Sequence, residues 1–425
     1  MSQRRSSLHR RLAVFSNQPF RRMLAGRAVS FLGDGLYTVA AMWLVFDLTG
    51  SATYTGLAAF LLRAPRALKV FAGPVVDRSR LGRILVGSEA LGAGLAAIVP
   101  LAAVAGDLSV WVVLAVLPLM GLTELLAAPA QTAALPRIVD QESLVRANSA
   151  FSIVTSAVDA GAKALGGALL AAFGAVALYG IDAATYAVAV VLFLGLAIPE
   201  TDSSAGAETD ADGAGFDFAA YRRELRAGVA VLTGSVLGVM LLASLVANAL
   251  TSAAFAVLPL FAASFSGPES YGLLLAATTA GVVLGSLVAP TVEEQPLGRT
   301  SAVGFLLAGG LWVAGVELGG VLVTAALFAA SRVPVGVYNV GIQATIQSGV
   351  PDDKLGRVTA AVSSLSNVVG PAGLLLGGVV GDVVGARLVL LAGGVGIALT
   401  GLLWAGIPSL RQFGAPTRVD PGAFG

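Results

Sequence analysis

The residues of this chain with most chemical potential are charges set inside long apolar blocks. Asp34, Glu124, Asp159, Asp182, Arg63, Arg66, Lys163 and Arg332 all stand in such blocks. In lipid, each charge costs at least about 2.5–3.5 kcal/mol on insertion scales, so it persists by pairing or by lining a wet cavity. Asp34 lies near the middle of its block, between Gly33 and Gly35. Those neighbours leave room for a second helix or for water. A half-desolvated carboxylate there can take up and release a proton near neutral pH. Asp34 is therefore the first proton-coupling candidate, followed by Glu124 and Asp159. The competing role for Asp34 is a static ion pair with Arg63, Arg66 or Lys163. Asp159 and Lys163 are four residues apart, share a helix face and suit a mutual pair. Lys163 and Arg332 could instead contact an anionic small molecule. Asp182 lies nearer one end of its block and is expected to face water.

Other chemistries lack raw material. The chain has no cysteine, and its one histidine is His9, in an Arg-rich N-terminal segment. Zinc sites and Ser-His or Cys-His catalysis are not expected. The Gly-rich stretches 373–381 and 393–396 lie within apolar blocks and lack a following Lys-Ser/Thr. They suit close helix packing, and no phosphate loop for ATP is present. No catalytic residue, metal or cofactor is expected. An intramembrane enzyme would have to rely on Asp or Ser alone.

These charges must be positioned by membrane helices. Of 425 residues, 56% are hydrophobic and 12% charged, against roughly 25% charged in soluble domains. Mean hydropathy is +0.85. A crossing helix needs about 20 mostly apolar residues, and lipid demands that its backbone pair internally. Twelve such blocks are expected, at 23–46, 53–76, 84–105, 110–130, 144–171, 175–198, 236–262, 271–292, 300–316, 321–342, 358–380 and 388–407. The first is too long for a signal-peptide core of about 7–15 residues. The weakest boundaries are the start of the seventh and the break at 317–320. Residues 218–233 begin amphipathically and suggest an interfacial helix.

Charge sets the orientation. With the N-terminus in the cytoplasm, the outer loops fall at 47–52, 106–109, 173–174, 264–270, 317–320 and 381–387. Of 26 Lys and Arg residues, Arg387 alone lies in them. Both termini are expected to be cytoplasmic.

The chain also repeats itself. Shifted by 211 residues, 139–175 lies on 350–386, with identities at Arg146/Arg357, Gly166/Gly377, Gly167/Gly378, Gly174/Gly385 and Ala175/Ala386 among others. An offset near half the length implies a duplicated six-helix unit. The expected domains are a bundle at 1–198, an acidic cytoplasmic linker running into an interfacial helix at 199–226, and a second bundle at 227–425. The linker acids suit a solvated segment.

Six spans, a linker and six matching spans resemble the major facilitator superfamily. Gly73, Asp77 and Arg78, followed by Gly82-Arg83, resemble its motif between spans two and three, although Gly82-Arg83 stands two places late. Gly26-Arg27 with 30–34, and the stretch from Pro129-Ala130 through Leu135-Pro136-Arg137 to Ala147-Asn148-Ser149, resemble the enterobactin-exporter and macrolide-efflux branch. The span-five antiporter motif is only partly matched, with Ala162-Lys163 where Gly-Pro is usual. The resemblance implies an all-α membrane protein of twelve helices in two pseudo-symmetric six-helix bundles. It also implies that Gly73, Asp77, Arg78 and Arg83 form a state-dependent gate against span eleven.

The expected function is alternating access with proton-coupled export of hydrophobic or amphipathic compounds, by a plasma-membrane protein acting as a monomer. Sodium is an alternative coupling ion. The expected partners are a small-molecule substrate, protons and the bilayer, with no nucleic acid. The alternatives are uptake or flipping of a lipid-like compound or metabolite, or a membrane sensor or assembly protein that does not transport.

Overall fold

The computed structural model describes residues 13–71, 76, 79–199, 236–350 and 352–415. Among these, the long elements are all helices: α1 Gln18–Thr49, α2 Ala52–Arg63, α3 Leu81–Ala105, α4 Val110–Ile138, α5 Leu144–Leu194, α6 Val236–Ala256, α7 Leu258–Ala263, α8 Pro268–Val288, α9 Leu297–Glu317, α10 Val321–Gly349, α11 Asp352–Val384 and α12 Ala386–Gly406. Ten described helices are long and apolar enough to cross a membrane. Their outward faces are apolar too: Leu101, Val104, Leu287, Leu322 and Val383 are all well exposed. Water would penalise such a surface and lipid does not, so the chain is a multi-pass membrane protein.

The expected blocks map onto these helices with three differences. Block two is a short α2 followed by a 3-10 stretch, Ala64–Phe71, and then reaches residues outside the described set. Block seven is divided at Val257 into α6 and α7, whereas blocks five and six are, as expected, two helices, which meet at a kink at Gly174 within α5. Several helices also run past the apolar blocks, as in α4 to Ile138, α10 to Gly349 and α11 from Asp352. Hydropathy registers the part of a helix that lipid surrounds, and the backbone continues helical beyond it. The split at 317–320 is present, with α9 ending at Glu317 and α10 beginning at Val321.

The repeat has a geometric counterpart. Gly174 (φ 77°, ψ 164°) and Gly385 (φ 86°, ψ 153°) are aligned by the 211-residue shift and share one backbone conformation. Each is followed by an alanine that starts a helical stretch. A side chain would be strained there. Every positive-φ residue described is a glycine, at 50, 106, 174, 267, 319, 320 and 385. All seven fall in the segments expected as outer loops.

The chain packs as two compact units. One gathers the described residues of 1–41 and 64–217; the other gathers those of 42–63 and 218–425. The end of α1 and all of α2 thus belong with the second unit. In the first unit, Phe20, Met23, Leu85, Ala130, Phe151 and Phe193 share a core. In the second, Phe305, Tyr338 and Trp404 make successive edge-to-face contacts at 4.8 and 5.8 Å. Helices α8 and α10 touch backbone to backbone: Gly281 and Gly285 lie against Ala329 and Val333, and Gly336 lies against Val282. With little hydrophobic drive between helices in lipid, such small-residue contacts supply the packing. The acidic linker and the 218–233 segment lie outside the described residues.

Candidate functional site

In the first unit the charges converge on α1. Arg27 and Asp34 are seven residues apart, two turns along one helix face. Arg27 is 1% exposed and stacks its guanidinium 4.7 Å from the ring centroid of Phe31, one turn on. Its two terminal nitrogens donate to different acids, Glu89 of α3 and Glu124 of α4, each at 3.0 Å. A guanidinium presents donors in a rigid fork and stays charged, so one arginine can hold two carboxylates where lysine offers a point charge. Glu89 is fully buried, whereas the Glu124 side chain is 31% exposed. Breaking such a buried pair leaves an uncompensated charge, which makes Arg27 a keystone of the bundle.

Asp34 is partly buried. Its Oδ1 accepts a hydrogen bond from the Tyr186 hydroxyl at 2.5 Å. None of the expected ion pairs with Asp34 is seen among the described residues. Lys163 is taken by Asp159 at 2.6 Å, one helical turn away, with both side chains about a third exposed. The alternative of a mutual Asp159–Lys163 pair is thus the one that forms. Glu124 is in reach of Arg27, so its free valence is one carboxylate oxygen and its exposed edge.

Asp182 departs from expectation. It was expected to face water, yet its exposure is 0%. The second half of α5 lays it against α1 at Gly33, where a Cβ would overlap Asp182 Oδ1 and Thr185 Oγ1. Its position near a block end hid this, because depth along a helix does not tell which face a residue occupies. Apart from the Asp159–Lys163 pair, the described interior of this unit holds Asp34, Glu89, Glu124 and Asp182, with Arg27 the one buried cation among the described residues.

The second unit is built differently. Arg332 of α10 is 4% exposed. Its guanidinium lies 4.5 Å from the Trp312 ring centroid and 5.3 Å from that of Phe255. Trp312 is fixed in turn by stacking on Phe328 at 3.8 Å and by donating its indole N–H to the Leu390 carbonyl at 2.9 Å. Nε and one terminal nitrogen of Arg332 have no hydrogen-bond partner among the described residues. Two aromatic faces offset part of a buried cation's cost.

The same unit contains a capped junction. Asp382 of α11 accepts hydrogen bonds from the Ser51 hydroxyl and from the Ala52 and Thr53 amides, the last two at 2.7 and 3.0 Å. The first amides of a helix have no partner within it and carry partial positive charge, so a carboxylate there serves as cap and counter-charge. Below the cap, Gly56 and Gly378 let α2 and α11 approach backbone to backbone.

Of the remaining expected residues, Arg63 ends α2 and Arg66 follows it in the 3-10 stretch, both exposed. Arg83 is exposed in the first turn of α3. Gly73, Asp77 and Arg78 lie outside the described residues. Sequence reasoning gave Arg27 no role beyond a family motif, and missed Glu89, Tyr186 and Asp382. The first two stand in apolar blocks and meet the same criterion as Asp34, but nothing in the sequence pairs them. Tyr186 and Asp382 carry no such signal.

The profile of the transmembrane secretion effector family matches residues 9–416. The chain belongs to this family of major facilitator transporters. It is 27% identical over 412 residues to the multidrug efflux pump Tap of Mycobacterium tuberculosis, spanning 91% of this chain and 93% of that protein. It is 24% identical over 397 residues to macrolide efflux protein A of Streptococcus pyogenes, spanning 91% and 95%. Among solved structures, a bacterial homologue of the iron transporter ferroportin in an inward-facing state superposes with a TM-score of 0.67 at 14% identity, over 91% of this chain and 98% of that one. The nucleoside transporter NupG gives 0.62 at 16% identity, over 91% and 98%. At such identities the structural likeness carries the fold alone. The chain is a secondary-transporter protein and not an enzyme.

Proposed function

We propose that this transporter exports hydrophobic or amphipathic compounds in exchange for protons, by alternating access of two six-helix halves about a midplane site. Asp34 is the coupling carboxylate. The observation that carries this reading is its setting: a partly buried acid midway along α1, held by the neutral hydroxyl of Tyr186 and in no ion pair among the described residues. A carboxylate fixed by a permanent ion pair would resist protonation; one held by a phenol can gain and lose a proton as its surroundings change. The named activities of the efflux-pump relatives support the export direction and the substrate class.

In this reading Glu124 is the second coupling candidate, since its exposed edge could release Arg27 on protonation. Asp159, paired with Lys163, is the third. Arg332 is the contact for any acidic group on the substrate, with Lys163 the lesser choice. Gly73, Asp77, Arg78 and Arg83 form the cytoplasmic gate. Twelve spans, cytoplasmic termini and plasma-membrane residence complete the proposal.

Efflux of lipophilic dyes from inverted vesicles, with and without a collapsed pH gradient, tests it. Wild-type movement should stop when the gradient collapses, and Asp34→Asn should lack gradient-driven movement while still binding dye. Normal coupled movement in Asp34→Asn would remove Asp34 from the mechanism.

A further inference from the structure

Asp182 has no place in the reading above, and its surroundings are unusual for an acid. Both carboxyl oxygens are buried without a hydrogen-bond partner among the described residues. The hydroxyls of Tyr37, on α1, and of Tyr179, one turn earlier on α5, are likewise buried and unpartnered. Their rings meet edge to face at 5.3 Å. The other titratable groups facing Asp182 are Asp34 of α1, Glu89 of α3 and Tyr186 of α5. No cation faces it. The unit's buried guanidinium, Arg27, is committed to Glu89 and Glu124.

An ionised carboxylate here would have no counter-ion among the described residues and two acids as neighbours, and the adjacent Thr185 hydroxyl already donates to the Asp182 backbone carbonyl at 2.7 Å. Several kcal/mol oppose burying an ion so placed, and such a group neutralises instead. A carboxylic acid, by contrast, becomes a donor itself and tolerates two phenols. The seat is also specifically built. Gly33 supplies the absence of a side chain that Asp182 needs, and it is the residue immediately before Asp34. Asp182 and Tyr186 are one turn apart on α5, and Tyr186 holds Asp34. One helix face thus carries both the orphan acid and the hydroxyl that holds the coupling acid.

We propose that Asp182 is a second proton-carrying site of this transporter, occupied by a proton in this conformation and exchanging it during the cycle together with Asp34. The proposal rests on the proton-coupled reading for the exchange, but the bound proton can be tested without transport.

Infrared difference spectra of purified protein reconstituted in lipid at neutral pH, with and without ¹³C-labelled aspartate, read the bound proton directly. A carboxylic-acid carbonyl band that shifts with the label and exchanges slowly in D₂O is expected. It should survive in Asp34→Asn and vanish in Asp182→Asn. Absence of any label-sensitive acid band from the wild type, or its persistence in Asp182→Asn, overturns the proposal. If Asp182→Asn fails to fold, labelled Asp34→Asn decides: a retained band supports the proposal and a missing one ends it.

Exchange is read in proteoliposomes with tetraphenylphosphonium as probe. The number of protons moved per probe should fall by one in Asp182→Asn while probe binding is unchanged. An unchanged ratio would make Asp182 a static neutral acid and overturn the second half of the proposal. A wild-type protein that moves no probe would count against the export reading alone, because the infrared result stands apart from it.

Discussion

The two units handle buried charge in opposite ways. The first ties Arg27 to two acids through its guanidinium fork and leaves two further acids, Asp34 and Asp182, in no ion pair among the described residues. The second holds the buried guanidinium of Arg332 against aromatic rings, with no acid paired to it among the described residues. A network with surplus acids can store protons. A cation with spare donors and no buried base can only attract anions or be tolerated. In the proposed function, ion coupling falls to the first unit and substrate contact to the second.

Paired arginine substitutions test this contrast most severely. Arg27→Met strands Glu89 in the bundle interior and should cost about 3–5 kcal/mol, the range for breaking a buried pair. Thermal unfolding of the detergent-solubilised protein would show it, and adding Glu89→Gln should recover part of the loss, because the orphan charge goes with it. Arg332→Met removes a cation that has no acid to strand, so its melting temperature should match or exceed the wild type. Equal damage from both substitutions would erase the distinction.

A smaller effect is expected at the α2–α11 junction. Asp382→Ala removes a helix cap, worth about 0.5–2 kcal/mol. Amide hydrogen exchange at 52–55 should quicken while exchange in α12 stays unchanged. Uniform quickening along the chain would mean that Asp382 stabilises the whole fold. The smallest effect belongs to the exposed Asp159–Lys163 pair. Lys163→Gln should shift stability by about 0.3–0.5 kcal/mol, as exposed one-turn pairs do. A loss comparable to Arg27→Met would show a structural load that its exposure does not suggest.

Much of this architecture was legible in the sequence because lipid imposes a simple rule. An apolar run of sufficient length is a helix, and the turns between runs collect Gly and Pro. The break at 317–320 and the shared backbone of Gly174 and Gly385 both follow from that rule. Block two was less legible, since a 3-10 stretch carries the same apolar composition as an α-helix. The site was read only in part. Asp34 stood out as a candidate because its charge is conspicuous between glycines. Its partner Tyr186 was not, because a tyrosine in an apolar block looks like ordinary packing. Asp182 was misjudged because its surroundings depend on how the second half of α5 is rotated against α1. Gly33 signals room for a second helix, but not that Asp182 and Thr185 are the residues that fill it.

The glycine turns have a practical consequence for anyone modifying the protein. At Gly174 and Gly385 a single residue in a conformation that other amino acids resist separates one helical stretch from the next. One inserted residue would rotate the following helix by about 100° and advance it by about 1.5 Å. Its lipid-facing stripe would then turn towards the bundle. Epitope tags, protease sites and fluorescent fusions placed there should therefore fail, and antibodies raised against that end of the molecule would find almost no chain to grip.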